Sequence, residues 1–255
     1  MAAPGSEHNP PSAEDRFAST HWSVVLAAAR TDSPEAQLAL EKLCAGYWYP
    51  LYAYLRRAGS SQEEAEDLTQ EFFATRVINK RVLHGLDPGS GRFRSWLLTC
   101  LQNLVRNERD KQRTAKRGGA QPHVSLDLKD AEGRYLAEPA HDLTPERLYE
   151  RSWALTLLDR ALESLRQHYL DSGRQTLFEA LKGFLPGERS AQPYAEIARQ
   201  LDRSEDAVKM AVSRLRREYG ERLVSEIQRT VDSPADVEAE RRYLLAALAR
   251  SVTAH

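Results

Sequence analysis

Apolar residues recur along most of the chain with the spacing of an α-helix, and clusters of glycine and proline separate the periodic segments. Alanine and leucine dominate the apolar positions. This pattern predicts an all-α protein. A length of 255 residues fits one large domain or two smaller ones.

In the first half of the chain, Ser33-Pro34 predicts a helix start, Pro50 a kink or break, and Gly59 an end. The next helix begins with Ser61 and Glu64, which have the spacing of a capping box. Its apolar face recurs at helical intervals. The residues of that face are Ala65, Leu68, Phe72 and Phe73.

A turn-rich loop over 84–92 leads into one long predicted helix from Phe93 to about Arg117, which Gly118-Gly119 ends. Its apolar stripe comprises Phe93, Trp96, Leu97, Leu101, Leu104 and Val105. Residues 118–143 lack sustained periodicity, so we expect a flexible linker between two helical domains.

In the second half, Thr144-Pro145 predicts the start of a further helix. The segment 194–201 predicts a short helix, Asp202-Arg203 a tight turn, and Ser204 the cap of the next helix. A short helix, a tight turn and a longer helix together indicate a helix-turn-helix. Ser233-Pro234 predicts a C-terminal helix that ends near Arg250.

Composition excludes several classes of protein. The formal net charge is -1 and charged residues make up 29% of the chain, which is typical of a soluble protein. No apolar run approaches the ~20 residues that a membrane-spanning helix needs. Residues 1–18 lack the apolar core of a secretory signal and predict a disordered tail, so we expect a cytoplasmic protein.

Candidate chemistry is sparse. Cys44 and Cys100 stand alone in apolar surroundings, and the seven histidines lack the spacing of metal ligands. The chain contains no P-loop, nucleophile-elbow or HExxH motif. We therefore expect no cofactor, no metal site and no enzymatic activity.

The helix that begins near Ser61 carries an acidic face. Five acidic residues, with no basic one among them, occur within nine positions: Glu63, Glu64, Glu66, Asp67 and Glu71. An acidic surface repels DNA, so it indicates either a protein-binding site or a solvated face. Thr69 beside this face is either an ordinary helix residue or a phosphorylation site whose added charge would alter the face.

The second half of the long helix is basic. Between Gln102 and Arg117 there are six basic and two acidic residues. Amides and guanidinium groups beside aromatic rings bind phosphates or unstacked bases. The alternative is that Phe93 and Trp96 belong to the core and the arginines form a solvated face.

The helix capped by Ser204 is also basic on the faces that its apolar stripe leaves open. Its stripe contains Ala207, Val208, Ala211, Val212 and Leu215. The second helix of a helix-turn-helix enters the major groove, where lysine and arginine bind phosphates and guanine edges. The alternative is again a solvated face over the core.

Together these segments resemble an alternative RNA polymerase sigma factor of the extracytoplasmic-function type. The likeness rests on "EEAEDLTQEFF" (63–73), "FRSWLLTCLQNLVRNERDKQR" (93–113) and "YAEIARQLDRSEDAVKMAVSRLRRE" (194–218), and it covers about residues 20–223. It implies a disordered tail over 1–18, a region 2-like domain over 19–117, the linker, a region 4-like helix-turn-helix domain over 144–223, and a helical extension over 224–255.

The resemblance also implies roles for residues. The acidic helix would dock on core RNA polymerase through Glu63, Glu64, Glu66, Asp67, Gln70 and Glu71. The basic helix would bind and open the minus-ten promoter element through Asn103, Arg106, Asn107, Arg109 and Arg113. The helix-turn-helix would read the minus-thirty-five element through Ser204, Lys209, Ser213, Arg214, Arg216 and Arg217.

The chain departs from this family in three places. Asp202 replaces the usual turn glycine, residues 166–192 form a longer segment than usual, and 224–255 are added. The additions could cover a binding face or serve an anti-sigma factor or other regulator. Two other functions stay open: a stand-alone helix-turn-helix regulator of transcription, and a helical scaffold with no nucleic-acid role.

Overall fold

The computed structural model describes residues 34–78, 92–114, 131–138, 143–186, 192–231 and 234–249, with no side chains described at 34–45, 76–78, 111–114 and 234. The all-α prediction is confirmed, because these residues form helices and turns and no strand. The α-helices are α1 (Pro34–Arg57), α2 (Gln62–Glu71), α3 (Phe93–Thr114), α4 (Ala131–Ala137), α5 (Pro145–Asp171), α6 (Gln175–Leu181), α7 (Tyr194–Gln200), α8 (Glu205–Gln228) and α9 (Val237–Ala249).

Several predicted helix ends are confirmed. Ser61 and Glu64 form both bonds of a capping box at the start of α2, and Thr144 caps α5 with Pro145 in its first turn. Gly59 lies just past the end of α1 with a φ of 96°, a conformation that glycine adopts without strain. Ser33 and Ser233 lie outside the described residues.

A kink or a break is predicted at Pro50, and the break does not occur, because α1 continues through Pro50 to Arg57. Proline removes one helical hydrogen bond and crowds the preceding turn. Burial on both sides of Pro50 outweighs this cost: Tyr47, Tyr49, Leu51 and Tyr52 are all buried in the core. Tertiary packing thus overrides the local preference.

A first core joins α1, α2 and α3 to elements from much later in the chain. Tyr52 and Leu55 of α1 and Leu101 of α3 are buried in one cluster with Trp153 of α5. Ile227 of α8 and Leu244 of α9 belong to the same cluster. The C-terminal helix is therefore part of the core that contains α1 and α3.

Helix α5 contributes to two cores. Its first half supplies Trp153 and Leu157 to the first core, whereas its second half supplies Leu165 and Tyr169 to a second core with α6, α7 and α8. Helix α5 is 27 residues long, or ~40 Å at 1.5 Å per residue. It forms a continuous element between the two clusters.

Helix α4 lies within the predicted linker, whose residues 118–130 and 139–142 are outside the described part of the chain. Glu132 of α4 binds Arg56 of α1 through two hydrogen bonds, of 2.7 and 2.9 Å. Arg134 lies over the ring of Tyr49 at 4.0 Å. This part of the segment is folded against α1, a contact that the sequence did not indicate.

Candidate functional site

The acidic face of α2, defined as Glu63, Glu64, Glu66, Asp67, Gln70 and Glu71, lies at the surface of the first core. Glu63, Glu64 and Asp67 are exposed, and the other three are half-buried. The Glu64 carboxylate accepts the Ser61 amide at 2.9 Å, so it also caps the helix. Two negative charges in the first turn, Glu63 and Glu64, are favourable beside the N-terminal end of the helix dipole.

The opposite side of α2 fixes this face in place. Ala65 of α2 is buried in the first core. Phe72 and Phe73, which begin the π-helical segment Phe72–Ile78 directly after α2, are buried in the same core and meet edge to face at 5.5 Å. Thr69 is fully buried, and its hydroxyl donates to the Ala65 carbonyl at 2.6 Å. Thr69 is therefore an internal helix residue in this fold, and its hydroxyl does not face a modifying enzyme.

The basic face of α3, defined as Asn103, Arg106, Asn107 and Arg109, is exposed along its whole length. Leu97, Leu101 and Leu104 bury the other side of the helix. Phe93 is buried and Trp96 half-buried, with ring centroids 5.5 Å apart, which favours the core-packing interpretation of both aromatics. The side chain of Arg113 lies outside the described residues.

A groove between α1 and α3 adjoins the basic face. It has a volume of about 460 Å³, and its lining includes Arg106, Arg109 and Tyr54. Gln102 donates to the Tyr54 hydroxyl at 3.0 Å within the same lining. The sequence did not single out Tyr54 or Gln102, because only the folded chain brings α1 beside α3.

Helices α7 and α8 pack at the predicted tight turn. Asp202 has a φ of 52°, a left-handed conformation that aspartate tolerates better than most residues. Ser204 accepts the Ala207 amide at 3.2 Å and so caps α8. Ile197 of α7 and Val208 of α8 are buried together in the second core.

The predicted DNA-binding side chains of α8 lie on its exposed sides, and three of them have partners within the protein. Lys209, Ser213, Arg214, Arg216 and Arg217 are all exposed. Lys209 lies 3.2 Å from Asp206, and Arg217 lies 3.6 Å from Glu221. Arg216 donates to the Phe184 carbonyl at 2.9 Å, which gives it a structural contact in addition to any role at DNA.

A buried charged cluster, here called the Arg94 joint, links the start of α3 to α9. Arg94, 4% exposed, pairs with Glu240, which is fully buried. Arg92 lies 2.9 Å from the second oxygen of Glu240. The Arg94 guanidinium lies 4.6 Å from the ring centroid of Trp153 and 4.2 Å from that of Tyr243.

The Arg94 joint is buried between α3, α5 and α9. Burial lowers the pKa of Arg94, which is the direction expected for a cation removed from water. The Tyr149 hydroxyl donates to the Arg94 carbonyl at 2.9 Å. No pattern in the sequence indicates this joint, because Arg94 and Glu240 are more than a hundred residues apart.

Within the part of the chain that the structure describes, no group of three or more histidine, cysteine, aspartate and glutamate side chains could hold a metal ion. None of the helices described is long and apolar enough to cross a membrane.

Comparison with known proteins finds a family model that is similar to one segment of the chain. A search of curated proteins found no match, and a search of solved structures also found none. Residues 49–115, about a quarter of the chain, match the family model Sigma-70 region 2. This segment contains both the acidic face of α2 and the basic face of α3. The segment is therefore similar to sigma-70 region 2, which supports a sigma factor role in transcription initiation.

Proposed function

We propose that this protein is an alternative RNA polymerase sigma factor of the extracytoplasmic-function type, a subunit without enzymatic activity of its own. The match of residues 49–115 to Sigma-70 region 2 carries the proposal. It is supported by two oppositely charged faces fixed on one core and by a capped, basic α8 that follows a tight turn. RNA synthesis belongs to the polymerase.

The acidic face of α2 is the proposed contact with the core enzyme. In the family, the corresponding helix docks on the clamp helices of the largest polymerase subunit. Glu66 and Asp67 lie in the middle of α2, away from the capping box. Asp67 is exposed, and the half-buried Glu66 accepts a hydrogen bond at 3.0 Å from the neutral Gln62 side chain, which leaves its negative charge for a partner. Charge complementarity at such a surface contributes both to association rate and to the choice of partner.

The basic face of α3 is the proposed contact with the minus-ten element. Arg106 and Arg109 supply charge for phosphates, and Asn103 and Asn107 supply amide groups that bind base edges or backbone. Arg113 extends the same helix toward its C-terminal end. The groove beside Tyr54 adds an aromatic hydroxyl next to these cations.

The pair α7 and α8 is the proposed reader of the minus-thirty-five element in duplex DNA. Ser204, Lys209, Ser213, Arg214, Arg216 and Arg217 are the proposed contacts. Recognition helices place their N-terminal residues against base edges while basic residues bind the flanking phosphates. An acidic face for polymerase and two basic faces for DNA are compatible with a net charge near zero.

The experiment is transcription by purified bacterial core RNA polymerase on fragmented genomic DNA from the source organism, with and without this protein, followed by sequencing of RNA 5′ ends. The proposal predicts new start sites that appear only when the protein is present and that share two upstream elements. If the protein yields no new start sites and instead binds duplex DNA tightly without the core enzyme, it is a stand-alone regulator.

A further inference from the structure

Met210 is an exposed apolar residue in the middle of the charged surface of α8. Among the residues that the structure describes, the large apolar side chains that are exposed are Leu136, Leu170, Met210 and Leu245. Met210 is 70% exposed, and of these four residues only Met210 lies on α8. Of its four neighbours one helical turn away, Asp206, Ser213 and Arg214 are exposed, and Ala207 is half-buried.

The geometry of α8 directs Met210 away from the protein. Its buried stripe contains Val208, Val212, Leu215 and Tyr219. Met210 lies two residues from both Val208 and Val212, and at ~100° per residue this places it on the opposite side of the helix. It is also the sixth residue of α8, within the N-terminal part that a recognition helix inserts deepest into the major groove.

The major groove offers one apolar group to such a side chain. Each thymine presents its C5-methyl there, whereas the other base edges present hydrogen-bond donors and acceptors. A methionine thioether is flexible and polarisable, so it can follow the position of a methyl group. We propose that Met210 reads a thymine methyl in the upstream promoter element, an inference that rests on the proposed function of α8.

The experiment uses the complete holoenzyme and the upstream element found by mapping start sites. Each thymine of that element is replaced in turn by deoxyuridine, which removes only the methyl group. Holoenzyme binding to each duplex is measured for the wild-type protein and for Met210→Ala. Leu136→Ala is the matched control, because Leu136 is 72% exposed but lies on α4.

We expect one thymine whose replacement weakens binding of the wild-type and Leu136→Ala holoenzymes by about three- to fivefold. The Met210→Ala holoenzyme should bind the unmodified duplex more weakly by a similar factor and lose its sensitivity at that one position. The inference is overturned if the element lacks thymine, if no replacement matters, or if Met210→Ala keeps the wild-type sensitivity. If the protein directs no new start sites at all, the proposed function fails as well, and the mapping experiment shows this separately.

Discussion

Helix α3 carries arginines at both of its ends, and the two ends do opposite things. At its start, Arg94 is buried against Glu240 and two aromatic rings. In its second half, Arg106 and Arg109 are exposed beside an open groove. Arginine therefore serves as an internal contact at the start of the helix and as an exposed surface charge in its second half. Burial distinguishes the two.

The largest expected effect is a loss of protein stability when the buried arginine at the start of α3 is replaced. Arg94→Ala leaves the carboxylate of Glu240 buried beside only the partly exposed Arg92, and it should lower the free energy of unfolding by about 3–5 kcal/mol. Urea denaturation measures this loss. The double variant Arg94→Met with Glu240→Leu should recover most of it, because no buried charge remains. A loss below about 1 kcal/mol for Arg94→Ala would show that the joint does not hold α9 to α3.

Reversing charge on the exposed acidic face should affect binding and leave folding unchanged. Glu66→Lys with Asp67→Lys should weaken binding to core polymerase at least about thirtyfold, because like charges then meet at the interface. The free energy of unfolding should change by no more than about 0.5 kcal/mol. Titration of labelled protein with core enzyme measures the affinity.

A second charge-reversal variant, outside α2, tests whether the loss of core-polymerase affinity depends on where the charges lie. Glu163 and Asp171 of α5 are also exposed and acidic but lie outside the acidic face. The variant Glu163→Lys with Asp171→Lys should keep the wild-type core affinity. Equal losses in the two double variants would indicate general electrostatics and contradict docking through α2.

Replacing the exposed arginines of α3 by alanine should change the salt dependence of promoter binding. Each phosphate contact contributes ~0.7–0.9 to the slope of log K against log salt concentration. Arg106→Ala with Arg109→Ala should therefore reduce the magnitude of that slope by about 1.4–1.8, measured on holoenzyme–promoter complexes. Arg166→Ala with Arg241→Ala is the control, since both arginines are exposed, pair with a glutamate of their own helix and lie outside the proposed DNA-binding faces. An unchanged slope in Arg106→Ala with Arg109→Ala would show that the basic face of α3 does not contact DNA phosphates.

The smallest effect concerns the partly buried pair between α1 and α4. Hydrogen bonds from Arg56 hold the pKa of Glu132 below its ordinary value of 4.5. The carboxylate therefore stabilises the fold fully above that pH, and the contribution is lost as the pH falls through the lower, folded-state pKa. Between neutral and acid pH, the free energy of unfolding should therefore fall by about 1 kcal/mol less in Glu132→Gln than in the wild-type protein.

Denaturation at a series of pH values from 6 to 3 measures that difference. Glu196→Gln removes an exposed pair with Arg199 and should leave the loss of stability at acid pH unchanged. If Glu132→Gln and wild type lose stability in parallel, α4 is not anchored through this carboxylate.

Local features of the fold could be predicted from the sequence, whereas contacts between distant segments could not. Capping at Ser61, Thr144 and Ser204 depends on residues within one turn, and all three caps are present. The pairing of Arg94 with Glu240 and the docking of Glu132 on Arg56 join segments far apart in the chain. No local period encodes such pairs.

In the candidate site, too, local features could be predicted and long-range contacts could not. The charged faces of α2, α3 and α8 were recognisable because each lies on one helix, opposite its own apolar stripe. The helix within 118–143 and the sharing of α5 between two cores were missed, because short helices and domain borders depend on packing partners. The break predicted at Pro50 does not occur for the same reason, because buried neighbours such as Tyr49 and Leu51 keep the helix continuous.

The central claim is that the DNA contacts of this protein depend on polymerase to place them. The most direct measurement is the affinity for a duplex carrying both upstream elements, with and without saturating core enzyme. We expect weak binding by the protein alone and a gain of at least about a hundredfold with core enzyme, since two linked DNA contacts then act together. Equal, tight binding with and without core would contradict it and identify a stand-alone regulator.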